Sequence, residues 1–515
     1  MTLRESTGRT RRRRNPREQA GGGARVVTYR DLRPPFPPVP VFSEDRVAAI
    51  HDAALRVLEE LGLRILLPEA RVLLADAGAT VDESTETVRI GRDIVAAALG
   101  TCPRSIPVRA GAPELDVVLE LGRLVIQPGA GAPHASDLER GRRPGSLSDF
   151  RELIRLTDHF DVLHMLPPLV EPQDVPPALR HYEMTRTMLS LSDKVPFVFA
   201  RGRAQVEDAF EMIRLARGLD WDAFAAESRC YTIINTNSPR QIDAAMAEGL
   251  IDFARAGQVS IVTPFTLMGA MAPVTVAGAL TLSHAEALAA ITLTQLVRPG
   301  APVCYGSFTS NVDMKSGAPA FGTPEQVKAS LGAGQLARHL GLPWRGAAGC
   351  AANINDAQAA HETELSAWGA LLAGATVLLH GAGWLEGGLT VSYEKFVTDI
   401  EMLQVMAELC TATPAEDADI ALDALAEVAP GGHFFAAQHT MTRYQSAFYA
   451  PLVADWSNYG TWSEAGARDA SARAHGIWRE ILGQPEAERL APERRAALDA
   501  FIRRRAEAGG APPPG

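Results

Sequence analysis

The sequence predicts an α/β protein built on a TIM (β/α)8 barrel, with an N-terminal mostly helical cap and a C-terminal helical extension. Three observations lead there. Eight apolar runs of strand length recur from about residue 123: RLVIQPG, VLHMLPPLV, VPFVFAR, CYTIINTN, VSIVTPF, PVCYGSF, WRGAAGC and TVLLHGAG. Each is followed by a polar or Gly-containing loop and then by a helix-like stretch. The runs are continuously apolar, as strands are in a parallel sheet covered on both faces, and eight such β/α units fit a closed barrel. An open doubly wound sheet is the alternative that the same pattern allows.

The elements follow in chain order. Residues 1–44 read as a disordered Arg-rich and Pro-rich arm, with eight Arg and two Glu through Arg25 and then RPPFPPVPVF before any helical periodicity. An export signal needs an apolar segment after its basic residues; NPREQAGGGA stands there instead, so a cytoplasmic protein is expected. EDRVAAIHDAALRVLEEL spaces its apolar residues for an amphipathic helix that stops at Gly62, and it opens a helical cap expected over 45–120. The barrel domain is expected over 121–440 and the helical extension over 441–515. With 46% hydrophobic residues the chain can bury a large core, and no apolar run approaches the roughly 18 to 20 residues of a membrane span.

Charge and residue usage exclude several classes. The net charge is −11, and because the arm carries +6 the remainder carries −17, which argues against a nucleic-acid-binding body and for a cationic substrate or basic partner. Five widely spaced cysteines with no C-x-x-C pair fit a reducing compartment without structural zinc or disulfides. Schiff-base chemistry would need a buried lysine on a strand; Lys194, Lys315, Lys328 and Lys395 all read as loop or helix residues. There is no P-loop, no G-x-G-x-x-G after a strand and no G-x-S-x-G, and His433 and His439 lack a zinc spacing, so no metal is assigned.

In a TIM barrel the chemistry lies at strand C-termini and in the loops that follow. Those loops are 235–241, 263–275, 306–325, 349–358 and 380–395, of which the third and fifth exceed the usual two to six residues. In 306–325, Asn311 is placed to orient a substrate and Asp313 to face a cation, unless the segment is an Ω-loop that satisfies its own backbone. Asp356 stands at a helix N-cap, and with Gln358 and Glu362 it puts acceptors on the first turns. His380 ends the last strand, with Tyr393 and Glu394 in the next helix.

Three longer stretches carry a resemblance: GALTLSHAEALAAITLTQLVRPGAPVCYGSFTSNVDMKSGAPAFGTPE, NDAQAAHETELSAWGALLAGATVLLHGAGWLEGGLTVSYEKFVTDIEML and PGGHFFAAQHT. From about residue 45 to 485 the chain resembles the trimethylamine methyltransferase family. The resemblance implies a TIM barrel that moves a methyl group from a quaternary or tertiary methylamine to Co(I) of a cognate corrinoid protein. It implies no tightly bound cofactor, no nucleic-acid or membrane partner, and possible homo-oligomers. Archetypal members carry pyrrolysine just before the DAQA helix, where this chain has AANIN, so it is similar to the non-pyrrolysine, glycine betaine methyltransferase-like branch. A quaternary ammonium already has a neutral amine as leaving group, so positioning suffices. On this basis Phe308 and Tyr393 offer ring faces to the cation, with Asp313, Glu362 or Glu394 supplying charge, and N–H groups of Asn353 to Asn355 meet a substrate carboxylate. The alternatives are a non-catalytic quaternary-amine binding protein on the same barrel, trimethylamine as substrate, or a barrel lyase or another transferase using a different nucleophile.

Overall fold

The computed structural model describes residues 28–513; the Arg-rich part of the expected arm, residues 1–27, lies outside the described residues. Eight strands close a barrel, one for each apolar run. β1 is Val125–Ile126, β2 and β3 are segments 164–166 and 195–197, β4 is Tyr231–Ile234, β5 Val259–Val262, β6 Val303–Gly306, β7 Trp344–Ala347 and β8 Val377–Leu379. Six of them form one sheet in the order β1-β8-β7-β6-β5-β4, every pairing parallel. β2 and β3 close the remaining gap: N–H of His164 donates to Ile126 (2.8 Å), of Leu166 to Val195 (2.9 Å) and of Val198 to Tyr231 (2.9 Å). Pro167, Pro168 and Pro196 interrupt these two strands, and proline has no N–H for a ladder, so only single bridges form there.

The strands alternate with α1 (Leu147–His159), α2 (Pro177–Leu191), α3 (Arg203–Arg217), α4 (Ala244–Ala256), α5 (Val276–Val297), α6 (Pro324–Leu340), α7 (Ala357–Leu372) and α8 (Tyr393–Leu409). Their starts are chemically marked: Ser146, Asp243, Thr275, Thr323, Asp356 and Ser392 each accept a hydrogen bond from a first-turn N–H. α5 has the length and apolarity of a membrane span, but it packs against α4, α6 and the N-terminal helix Glu44–Arg56, and that burial accounts for its composition.

The N-terminal region combines helices Glu44–Arg56, Pro68–Asp76 and Arg92–Thr101 with a small sheet in which Leu63–Ile65 pairs with Gln241–Ile242 of the loop after β4. The Pro-rich stretch expected to be disordered is instead fixed along the barrel over residues 29–43. Five of these fifteen residues are proline and have no N–H to satisfy, and three N–H groups between and after them find barrel acceptors: Val39 donates to Leu372 O (2.8 Å), and Val41 and Phe42 donate to the Gln335 amide oxygen (2.9 Å each). At the other end, helix Ala470–Leu482 packs on α8 and α1, and Pro492–Glu507 on α3 and α2.

The described residues fall into two compact units, Tyr29–Thr411 with the chain from Val453 onward, and Thr28 with Ala412–Leu452. The second contains short helices Asp417–Ile420, Leu422–Glu427 and Gln438–Arg443. The boundary expected at residue 440 falls inside it. Apolar residues alone do not reveal burial: Phe435 and Phe448 of this unit are 81% and 80% exposed.

Candidate active site

Beyond β5 and β6 the chain runs past the barrel rim as Phe265–Met268 and Phe308–Val312, which pair in parallel, with Pro319–Ala320 added antiparallel to the second. Beyond β8, Trp384–Leu385 and Thr390–Ser392 form a hairpin joined to His134–Ser136. These extensions are why loops 306–325 and 380–395 are long, and they bring aromatic rings together at the C-terminal end of the barrel. Phe308 lies 5.2 Å from Phe265, 5.4 Å from Phe321 with the rings near-parallel, and 6.0 Å from Trp384, centroid to centroid. Phe321 meets Trp384 edge-on at 5.2 Å, and His380 stacks on Trp384 at 4.5 Å with 16° between planes. Two glycines make room for these rings: a Cβ on Gly349 would stand 2.7 Å from the Phe321 ring, and one on Gly388 would stand 2.4 Å from that of Trp384.

Arg345 of β7 reaches into this cluster. It is 2% exposed, its guanidinium lies 5.0 Å from the Phe308 ring centroid, and its Nη2 is 3.2 Å from His380 Nε2. Its Nε and Nη1 have no hydrogen-bond partner, and no carboxylate among the described residues pairs with it. Burial pulls its pKa below the ordinary guanidinium value, though arginine stays charged at neutral pH. His380 is held well below the usual imidazole range, first by burial and then by the Arg345 charge. A neutral His380 accepts from Arg345 at Nε2 and so carries its proton on Nδ1, which is unpartnered. Its φ of +57°, rare for a residue with a side chain, is a strained turn at the strand end. Trp384 Nε1 and both amide atoms of the fully buried Gln127, at the end of β1, also lack partners. Buried polar atoms are satisfied in most proteins, so these unpartnered atoms beside the rings make this barrel end the candidate site.

The structure brings Phe308 and His380, of the residues expected to form the site, into this cluster. Asn311 stands farther along the same rim strand as Phe308, where its Oδ1 accepts from the Thr323 hydroxyl at 2.8 Å. Asp313 is exposed and accepts from the N–H (3.0 Å) and hydroxyl (2.7 Å) of Ser316, the self-satisfied loop weighed above. Asn353 is exposed, and Asn355 donates to Ser471 Oγ at 3.1 Å. Asp356 caps α7 through the N–H groups of Gln358 and Ala359, while Glu362 accepts from Ala351 (2.7 Å), Ala352 (3.0 Å) and the Gln358 amide (2.7 Å). The start of α7 is thus already supplied with protein carboxylates. Tyr393 is buried outside this cluster, its hydroxyl donating to Glu152 at 2.6 Å and its ring under Arg140. Glu394 accepts from Trp478 Nε1 at 2.9 Å and lies 2.8 Å from His475 Nδ1, which ties α8 to the C-terminal helix.

Sequence reasoning passed over Arg345, Trp384, Phe321 and Phe265. For Arg345 a signal existed, since it is the only charge in WRGAAGC. Two lysines read as loop or helix residues prove buried. Burial lowers Lys194 to about 7, but it precedes β3, at the barrel end opposite the cluster, and donates to Thr157 O (2.6 Å) and Phe160 O (2.8 Å). Lys395 pairs with Asp399 at 2.5 Å. All five cysteines are free and buried, and among the described residues no group of three or more His, Cys, Asp or Glu is arranged to hold a metal ion.

Three comparisons bear on this geometry. The family model for trimethylamine methyltransferase (MTTB) matches residues 7–510. The chain is 32% identical over 477 residues to glycine betaine methyltransferase of Desulfitobacterium hafniense (strain Y51), covering 92% of this chain and 99% of that one. It is 30% identical over 464 residues to a trimethylamine methyltransferase of Desulfitobacterium hafniense (strain DSM 10664 / DCB-2), covering 89% and 93%. The crystal structure of Methanosarcina barkeri monomethylamine methyltransferase matches with a TM-score of 0.50 at 10% identity, over 92% of this chain and 89% of that one, a likeness of fold.

Proposed function

This chain belongs to the trimethylamine methyltransferase family and is a methyltransferase, and we propose that it takes its methyl group from a betaine-type quaternary amine and passes it to a corrinoid protein. The observation that carries the donor class is the aromatic box of Phe265, Phe308, Phe321 and Trp384 at the barrel's C-terminal end. Ring faces attract a quaternary ammonium through their quadrupoles, about 1–2 kcal/mol per face once water is excluded. The relative named glycine betaine methyltransferase, matched along nearly its whole length, supports the same class.

The corrinoid acceptor, a co-substrate on its own protein, supplies the nucleophile. This chain's part is to hold the cation, keep water off it and present one methyl for in-line attack. No proton has to be delivered to nitrogen, because the departing amine is already neutral, and a neutral His380 beside the rings agrees with that. Within the same reading Phe308 and His380 line the donor pocket, Asn311 holds its rim, and Asp356, Gln358 and Glu362 fix the loop where relatives carry pyrrolysine. A cytoplasmic location belongs to the proposal on the strength of five free, buried thiols.

Purified protein given reduced cobalamin and a panel of betaines and methylamines is expected to form methylcobalamin with a betaine. Trp384→Leu is expected to lower kcat/KM about 10-fold, mainly through KM, because it removes a ring that binds substrate before and during transfer. If no methylated amine yields methylcobalamin, the proposal fails.

A further inference from the structure

We infer that Arg345 is the anchor for an anionic group on the methyl donor, so that the pocket selects a quaternary ammonium bearing a carboxylate close to nitrogen over one bearing none. The inference rests on the donor-pocket reading of the aromatic box and adds the residue that sets its selectivity.

The guanidinium and the rings belong to one cluster of contacts at the C-terminal end of the barrel. Arg345 lies 5.0 Å from the centroid of Phe308, one wall of the box, and 3.2 Å from His380, which stacks on Trp384, another wall. An anion held by Arg345 therefore leaves a neighbouring cation against aromatic faces, which is the charge order of a betaine.

Arg345 also differs from the other buried cations. Arg71 pairs with Glu83 at 2.8 Å, Lys395 with Asp399 at 2.5 Å, and Lys194 donates to two backbone carbonyls. Arg345 has one neutral imidazole, while Nε and Nη1 have nothing. A guanidinium carries five N–H donors, and a buried charge without a counter-ion is unfavourable unless a ligand completes it. The other place for an anion, the start of α7, already holds the carboxylates of Asp356 and Glu362, which would repel one.

The same charge rejects as well as attracts. A cation with no anionic group brings positive charge toward an uncompensated guanidinium in a water-poor site, where repulsion is poorly screened. Selectivity then comes from one residue acting in both directions.

Calorimetric titration of the full-length protein tests this with three probes: glycine betaine, tetramethylammonium, and 3,3-dimethylbutyrate, in which carbon replaces nitrogen and only the carboxylate charge remains. Wild type is expected to bind glycine betaine at least about 30-fold more tightly than tetramethylammonium, as charge-assisted hydrogen bonds allow, and to bind 3,3-dimethylbutyrate. In Arg345→Met, 3,3-dimethylbutyrate binding is lost and the betaine preference shrinks to within about 3-fold; Arg345→Lys falls between. Equal wild-type affinity for glycine betaine and tetramethylammonium overturns the inference without any variant. So does a folded Arg345→Met, checked by circular dichroism, that keeps the wild-type preference. The two readings separate: Arg345-dependent 3,3-dimethylbutyrate binding without methyl transfer from any betaine sinks the proposed activity and leaves the anchor. Methyl transfer with unchanged preference in Arg345→Met does the reverse.

Discussion

His164, on β2, has its chemistry decided by its surroundings. The Ile126 N–H donates to its Nδ1 (3.0 Å), so its proton sits on Nε2, 2.7 Å from Tyr29 O, and full burial lowers its pKa to about 3. The unfolded chain takes up this proton near pH 6.5, the native one near pH 3, so the penalty is absent above 6.5, grows as pH falls and is complete below 3. Native stability is expected to drop by on the order of 5 kcal/mol from this group across that window. Urea midpoints measured against pH should show a shallower acid slope in His164→Gln, which keeps a donor and an acceptor but does not titrate; equal slopes contradict the assignment. Residue-scale legibility in the site divides in the same way. Phe308 and His380 were legible because position alone, at a strand end, puts them on the rim. Arg345 was visible as a charge in an apolar run, but whether it has a partner depends on residues that are distant in the chain.

On α8, Lys395 and Asp399 stand one turn apart, fully buried or nearly so, and Asp399 also accepts the Gly383 N–H at 2.9 Å. Gly383 precedes Trp384, so the pair fixes the chain from which the box receives its indole. Lys395→Met leaves a carboxylate buried alone and is expected to reduce unfolding free energy by about 3–5 kcal/mol. Lys395→Met with Asp399→Asn removes the stranded charge but keeps an acceptor for Gly383, and should recover at least half of that loss in urea denaturation. No recovery would show that the lysine acts through its packing and its hydrogen bond to the Thr363 hydroxyl rather than by compensating Asp399. Elements were legible where local chemistry marks them: capping residues begin α1 and α4 to α8, and eight apolar runs became eight strands. The extent of β2 and β3 was less legible, because prolines thin their pairing without changing their apolar pattern.

For the whole molecule, barrel closure places the rims of β5, β6, β7 and β8 around one mouth, although these strands span residues 259 to 379. Ala412–Leu452 forms a unit of its own with exposed Phe434, Phe435, Tyr444 and Phe448, and exposed short helices open locally more readily than a closed barrel. Limited chymotrypsin digestion is expected to cut there before any strand or helix from β1 to α8, with fragments identified by mass spectrometry. First cuts inside the barrel would contradict this.

By itself the sequence determined the barrel, its eight strands and the family, because periodicity, apolar runs and capping residues act over a few neighbours. Only the tertiary structure decided that Tyr393 and Glu394 serve the C-terminal helix and α1, that Asp356 and Glu362 are committed to α7, and that Phe265, Phe308, Phe321, Trp384 and Arg345 meet. Those outcomes depend on which hydrogen-bond partners and ring faces remain unused after the chain closes, and that is a property of packing between segments far apart in sequence.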